Sequence, residues 1–271
     1  MLGRTAIEPR ARGGLDWARD RLALTKENEM IKHELIDDVL EIQISRPEKR
    51  NALTHEMYDE MRELLLKYGR GESARAILFY GSEGIFSAGA DLEDFKKPRK
   101  PGESHGIQFI RALASCEVPI IAAVEGFAVG IGATMLLHCD FVYTTEECKF
   151  RFPFVALGLC PEAGSTYLLE KLVGPRRAVD WLMSCRYIYG DEAYESGFVT
   201  ALTEAGATLE KARQRAIELI KFPSSSVNAT KRLMKGHYKD KLTHVIDREV
   251  EEFNSKLETG ETQSLVSKGT N

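Results

Sequence analysis

The sequence predicts an α/β domain: a core of alternating strands and helices, followed by a helical C-terminal region. Three observations carry that prediction. Short apolar runs of strand length alternate with amphipathic stretches up to about residue 200, and beyond it helical periodicity takes over. Two loops rich in small residues, SAGAD (87–91) and GFAVGIGA (126–133), stand next to strand ends. With 271 residues, 43% hydrophobic and 29% charged, the chain has the material for one large domain with a full core.

The core begins near Ile31. IKHELIDDVLEIQIS alternates apolar and polar residues about an Asp-Asp turn, a hairpin pattern. Thr54 is placed to cap a helix running to about Lys67, with Met57, Met61, Leu64 and Leu65 as its apolar stripe. AILFYG (76–81) is an apolar strand, 104–115 a helix, and VPIIAAVEG (118–126) a buried strand. GFAVGIGATMLLHCD (126–140) reads as a tight loop feeding a buried helix, and FVYTT and KFRFPF as short strands. LGLCPEAGSTYLLEKLVG (157–174) starts as a loop and becomes a helix with Leu168, Leu169 and Leu172 on one face. Helices follow at 175–184, 191–196, 207–221, 223–236 and 239–257, with Pro223 before three serines marking a break and a new start. The organisation expected is an extension over 1–30, poorly ordered, an α/β core over 31–200 and a helical region over 201–271.

Bulk properties exclude several classes. A net charge of −4 with dispersed basic residues gives no footprint for nucleic acid or for an anionic membrane surface. No apolar run approaches the ~20 residues that cross a bilayer. Five cysteines show no metal-type spacing and read as idle thiols of a reducing compartment. Residues 1–30 lack the apolar segment of a secretory signal, and their acids argue against an organelle presequence.

The two small-residue loops let backbone approach a ligand closely and aim N–H groups at it. The second also opens a helix, whose N-terminus favours negative charge. Two N–H groups, one from each loop, form an oxyanion hole if they converge. Each loop alone reads more readily as a tight turn or a close helix contact.

Four stretches then carry a specific resemblance. RPEKRNALT (46–54), FSAGADL (86–92), PIIAAVEGFAVGIGATMLLHCDFVY (119–143) and LGLCPEAGST occur in the order and approximate spacing of the crotonase superfamily, the enoyl-CoA hydratase/isomerase family. The resemblance spans about residues 31–257. It implies the crotonase (ClpP-like) fold, a superhelix of repeated β-β-α units with a C-terminal helical region. It also implies that 201–271 builds a homotrimer or homohexamer. The implied substrate is an acyl-CoA thioester whose carbonyl oxygen sits between the N–H groups of Ala90 and Ile131. CoA would run along Ala52, Ala88, Gly89, Asp91 and Leu92, and the acyl group near Gly130 and Phe154. Coenzyme A arrives with the substrate; the resemblance implies no metal and no other cofactor.

The departures narrow the chemistry. Two-carboxylate hydratases of the superfamily carry Glu where this chain has Thr134 and Phe154. Neither residue can take a proton from water, and hydration needs a base for water and an acid for carbon. Glu162 instead stands in PEAGS, a turn resembling that of isomerases of the peroxisomal delta3,delta2-enoyl-CoA type. One carboxylate suffices to move a proton from C2 to C4 of a 3-enoyl-CoA. The ordinary structural reading of Glu162 is charge matching at a helix start, worth ~0.3–1 kcal/mol. The expectation is an isomerase of 3-enoyl-CoA to trans-2-enoyl-CoA. Hydration, thioester hydrolysis, decarboxylation and a non-catalytic acyl-CoA scaffold are the alternatives.

Among other polar residues, Asp91 is expected to orient the oxyanion loop, Glu125 to lie near a turn and Asp140 to cap one. His55, His105, His138, His237 and His244 lack acids at recognisable spacing and read as solvated or core residues. Phe152, Phe154, Leu157 and Tyr167 are candidate pocket walls. The final residues, SKGTN, are not a peroxisomal Ser-Lys-Leu, so the expected location is the cytoplasm.

Overall fold

The computed structural model describes residues 29–94 and 103–268, so all but the last two residues of the N-terminal extension lie outside it. Strands β1 (Ile31–Ile36) and β2 (Val39–Ile44) form the hairpin, closed by Asp37 and Asp38, both at positive φ, as a two-residue primed turn requires. β3 (Ala76–Gly81), β4 (Ile120–Val124), β6 (Phe141–Thr144) and β9 (Ala201–Leu202) add to β2 in parallel. The order is β1-β2-β3-β4-β6-β9, and β4 is buried throughout, as a strand covered on both faces should be. β1 is the exception to the alternating pattern. It is an edge, and Leu35 and Ile36 point to solvent.

A second sheet, β5 (Phe127–Val129), β7 (Lys149–Arg151) and β8 (Ile188–Tyr189), was not legible as strands at β5 and β8. Only Glu125 and Gly126 separate β4 in the first sheet from β5 in the second. Gly126 sits at φ 67°, where a Cβ would lie within bonding contact of the Gly84 carbonyl, so the crossing needs glycine. Each β-β pair is followed by a helix, which is the repeated β-β-α unit expected.

The helices are α1 (His55–Tyr68), α2 (His105–Ser115), α3 (Ile131–Thr134), α4 (Ser165–Val173), α5 (Pro175–Ser184), α6 (Gly190–Glu195), α7 (Thr208–Ile220), α8 (Ser224–Gly236), α9 (Lys239–Leu257) and α10 (Gly260–Lys268). Thr54 caps α1 by accepting from the Met57 N–H, as its sequence predicts. The buried helix after the glycine loop is only one turn, α3, continued as a 3-10 turn to His138, and every residue from 131 to 138 is buried. In α4, Leu168 and Leu169 face the core but Leu172 is half exposed, so the expected three-leucine face is a two-leucine one.

The core does not stop at residue 200. β9 joins the main sheet, and α7 lies on β3, β4 and β6, where Ala212 and Ala216 pack with Leu78, Ile121 and Tyr143. Beside it, Glu41 is paired by both arms of the Arg213 guanidinium at 2.7 Å. On α8 the buried Lys231 donates to the Val118 carbonyl at 2.6 Å and to Asp140 at 2.7 Å. Burial raises the Asp140 carboxyl, but Lys231 and Lys235 outweigh it and hold the group below its usual range. Asp140 therefore has the structural role its sequence position implied.

Candidate active site

The four motifs meet through backbone and side-chain bonds. Leu53, of RNAL, straddles Ala90: its N–H donates to Gly89 O at 2.7 Å and its carbonyl accepts from Asp91 N at 2.9 Å. That parallel bridge turns the Ala90 N–H away from Leu53. Ser87 straddles Ala128 of β5 in the same way, accepting from Val129 N and donating its own N–H to Phe127 O. A Cβ on Gly89 would lie 2.6 Å from Val129 O, so SAGAD is pressed against the start of the GIGA turn. Ile131 is the first residue of α3, where an N–H has no intrahelical acceptor. Ala90 N and Ile131 N make no hydrogen bond among the described residues.

A polar frame holds the first loop. The Ser87 hydroxyl donates to Asn51 O and accepts from Gly89 N. The Asn51 side chain bonds Ser82, Ile85 and the Arg46 N–H. Arg46 in turn donates to Asp91 Oδ2 at 2.7 Å and to the Ala52 carbonyl. Burial raises Asp91, yet the Arg46 hydrogen bond and the Glu93 N–H prevail and keep it below its usual range. Asp91 thus anchors the SAGAD loop to Arg46, the first residue of the RPEKRNALT stretch.

Glu162 is buried, 7% exposed, in the turn before α4. Its Oε1 accepts the Thr134 hydroxyl at 2.7 Å, one turn on from Ile131. Burial lifts its carboxyl to about 7, against the lowering effect of Thr134 and with a further lift from the Glu249 charge. Its backbone is set by neighbours at positive φ: Ala163 at 65° and Gly164 at 72°. His138 steadies that turn, with Nε2 2.8 Å from the Ala163 carbonyl. A carbonyl only accepts, so Nε2 carries the proton. Burial pulls His138 down to about 4, so it is a neutral donor at pH 7.

Glu162 is not the acid of the α4 start. That place is taken by Glu249 of α9, whose carboxylate accepts from Gly164 N at 2.6 Å, Thr166 N at 2.9 Å and the Thr166 hydroxyl at 2.6 Å. Glu249 satisfies the orphan donors and the dipole of the helix, which leaves Glu162 without that structural task. No local pattern announces Glu249, because it caps a helix more than eighty residues away.

Other predicted residues divide clearly. Ala88 and Gly89 donate their N–H groups inside the loop frame, and Gly130 donates to Arg151 O. Leu92 packs partly buried on the core, and Phe154 is buried at the start of a 3-10 turn. Phe152 stacks with Trp181 and meets Phe198 edge-on, so it is core rather than pocket wall. Tyr167 turns to Tyr238 and Lys171. Glu125 accepts from Gly206 N near the turn. Two histidines do have acids: His105 Nδ1 is 2.9 Å from Asp59, and His55 stacks on His105 at 4.5 Å while its backbone N–H donates to Asp94, 3.9 Å from its ring Nε2. These pairs join α1 to α2 and its entry, a contact that sequence spacing does not reveal. All five cysteines are free thiols. Among the described residues no helix is long and apolar enough to cross a membrane.

A family model described as enoyl-CoA hydratase/isomerase matches residues 34–270. The chain is 31% identical over 229 residues to 4-chlorobenzoyl coenzyme A dehalogenase-1 of an Arthrobacter species, covering 82% of this chain and 83% of the relative. It is 29% identical over 218 residues to enoyl-CoA delta isomerase 2 of Rattus norvegicus, covering 78% of this chain and 55% of that one. The solved structure of Pseudomonas aeruginosa OdaA superposes with a TM-score of 0.85 at 36% identity, over 89% of this chain and 98% of its own.

Proposed function

The chain belongs to the enoyl-CoA hydratase/isomerase family, the crotonase superfamily, and on that premise we propose that it isomerises 3-enoyl-CoA to trans-2-enoyl-CoA with Glu162 as the only proton carrier. The observation that carries this reading is a buried carboxyl poised at about 7, bonded among the described residues only to the Thr134 hydroxyl and relieved of the helix-start role by Glu249. A group with a pKa near the working pH is suited both to take and to return a proton.

The steps use this chain's own groups. The thioester carbonyl accepts from the Ala90 and Ile131 N–H groups. Glu162 takes a proton from C2 on Oε2, since Oε1 is engaged by Thr134. The C–H electron pair becomes the dienolate, with its charge on the thioester oxygen. The same carboxylic acid then protonates C4, the double bond settles between C2 and C3, and the carbonyl reforms. A lost oxyanion donor typically costs ~2.7–4 kcal/mol in such a site. Hydration is disfavoured because Thr134 and Phe154 hold the places of a second carboxylate, and Thr134 spends its hydroxyl on the first. The pantetheine and adenine parts of CoA are assigned to Ala52, Ala88, Gly89 and Leu92. The assembly proposed is a trimer or a pair of trimers through the chain after residue 200.

The test is turnover of a 3-enoyl-CoA by the wild type and by Glu162→Gln, with conjugated 2-enoyl-CoA and 3-hydroxyacyl-CoA assayed separately. The wild type should give conjugated product, and the variant should lose at least ~10²-fold while still binding CoA. A variant as active as the wild type refutes the proposal, as does 3-hydroxyacyl-CoA as the first product.

A further inference from the structure

The segment that opens at Ile131 grips the Glu162 turn at two points. Thr134 donates its hydroxyl to Glu162 Oε1 at 2.7 Å. His138 holds its Nε2 2.8 Å from the carbonyl of Ala163, the residue that follows Glu162. Residues 131 to 138 form one buried stretch of α3 and the 3-10 turn that continues it. That stretch therefore carries a proposed oxyanion donor, the hydroxyl on the base and the anchor of the base's own backbone.

The anchor sits where the chain needs holding. Ala163 is fully buried at φ 65°, a left-handed conformation that a residue with a Cβ keeps only where its surroundings impose it. On the other side of the turn stands α9: a Cβ on Gly164 would collide with Leu242 Cδ1, and Glu249 accepts from Gly164 N at 2.6 Å. His138 is itself braced by α8, whose Lys235 donates to the His138 carbonyl at 3.0 Å and pairs with Asp140 Oδ1 at 2.8 Å. The Nε2 proton is committed to Ala163, so His138 exchanges no proton with a substrate and acts through geometry alone. A displacement of 1 Å at a reacting group can cost ~10²-fold in rate.

Resting on the isomerase reading above, we propose that His138 is a positioning residue, whose Nε2–H fixes the backbone bearing Glu162 against the segment that supplies the Ile131 N–H, so that base and oxyanion donor keep one separation. A histidine that only filled the core would give way to an apolar side chain of like size without loss of kcat.

The experiment compares the wild type with His138→Met, which keeps the volume and removes the donor, and His138→Gln, which returns an amide N–H to the place of Nε2. One arm measures kcat on 3-hexenoyl-CoA and Kd for saturated hexanoyl-CoA. A second arm needs no turnover: infrared difference titration of the Glu162 carboxyl, identified as the band missing from Glu162→Gln. His138→Met should lose ~10–100-fold in kcat with Kd unchanged. Its Glu162 midpoint should move up by ~1 pH unit as the Thr134 bond slackens. His138→Gln should restore both. If His138→Met does not fold, His138→Asn, whose amide is one methylene short of Ala163, takes its place. A donorless variant with the wild-type kcat and an unmoved midpoint overturns the proposal. So does a loss that His138→Gln shares in full. A midpoint that shifts without the donor and returns with Gln, in a protein that turns over no 3-enoyl-CoA, upholds the His138 assignment and refutes the isomerase reading alone.

Discussion

Replacing Thr134 by Val removes one hydroxyl and keeps the shape of the side chain. Thr134 is fully buried, Glu162 nearly so, and their bond is 2.7 Å long. A hydrogen bond to a charged group contributes about 1.5–3 kcal/mol. It favours the carboxylate, so its loss raises the Glu162 pKa by ~1–2 at 1.36 kcal/mol per unit. Starting from about 7, the group should titrate at ~8–9 in Thr134→Val. At pH 7 the ionised share then falls from about half to ~1–9%, a loss of ~5–50-fold in kcat/KM. The assay is a pH profile of kcat/KM for 3-enoyl-CoA, with pH high enough to follow the recovery. The acid limb should move up, and the rate should return toward the wild-type value above it. An unmoved limb would show that Thr134 does not tune the base. A loss that no pH restores would show that its role is structural.

Two further outcomes follow from buried charge. Glu162→Gln should unfold at higher urea than the wild type at pH 8 and at similar urea at pH 4. The raised pKa means that wild-type stability is fully present below the ordinary value near 4.5 and is lost as pH rises through about 7, a difference of ~3 kcal/mol that the amide does not suffer. Lys231→Met should lower stability by ~2–4 kcal/mol in urea unfolding, because it leaves the Val118 carbonyl with only the weak Cys116 thiol donor and buried Asp140 with one lysine in place of two.

What the sequence revealed and what it hid divide along a physical line. The buried strands 76–81 and 120–124, the Thr54 cap and the helices at 105–115 and 175–184 are local patterns, and they lie where periodicity puts them. The second sheet was hidden because β5 and β8 are two or three residues long and owe their extended form to pairing partners far along the chain. The two small-residue loops were legible as sources of free N–H groups, whereas Ala90, Ile131 and the catalytic reading of Glu162 came from the resemblance to the crotonase superfamily. Their supports were not legible. Glu249 and the His105–Asp59 pair act across 85 and 46 positions of sequence, and Arg46, though it opens the RPEKRNALT stretch, reaches Asp91 across 45, so no spacing marks these contacts. Glu162 itself was ambiguous between base and helix-start acid until α9 supplied the other acid.

The central claim is that one buried carboxyl carries the same proton from C2 to C4. It is tested most directly with a 3-enoyl-CoA bearing two deuteriums at C2, converted briefly in ordinary water and analysed for label at each carbon. With Glu162 only 7% exposed, the account predicts that product retains one deuterium at C2 and carries a measurable share of deuterium at C4. Product with deuterium at C2 and only protium at C4 would contradict it, because the proton reaching C4 would then come from a different donor.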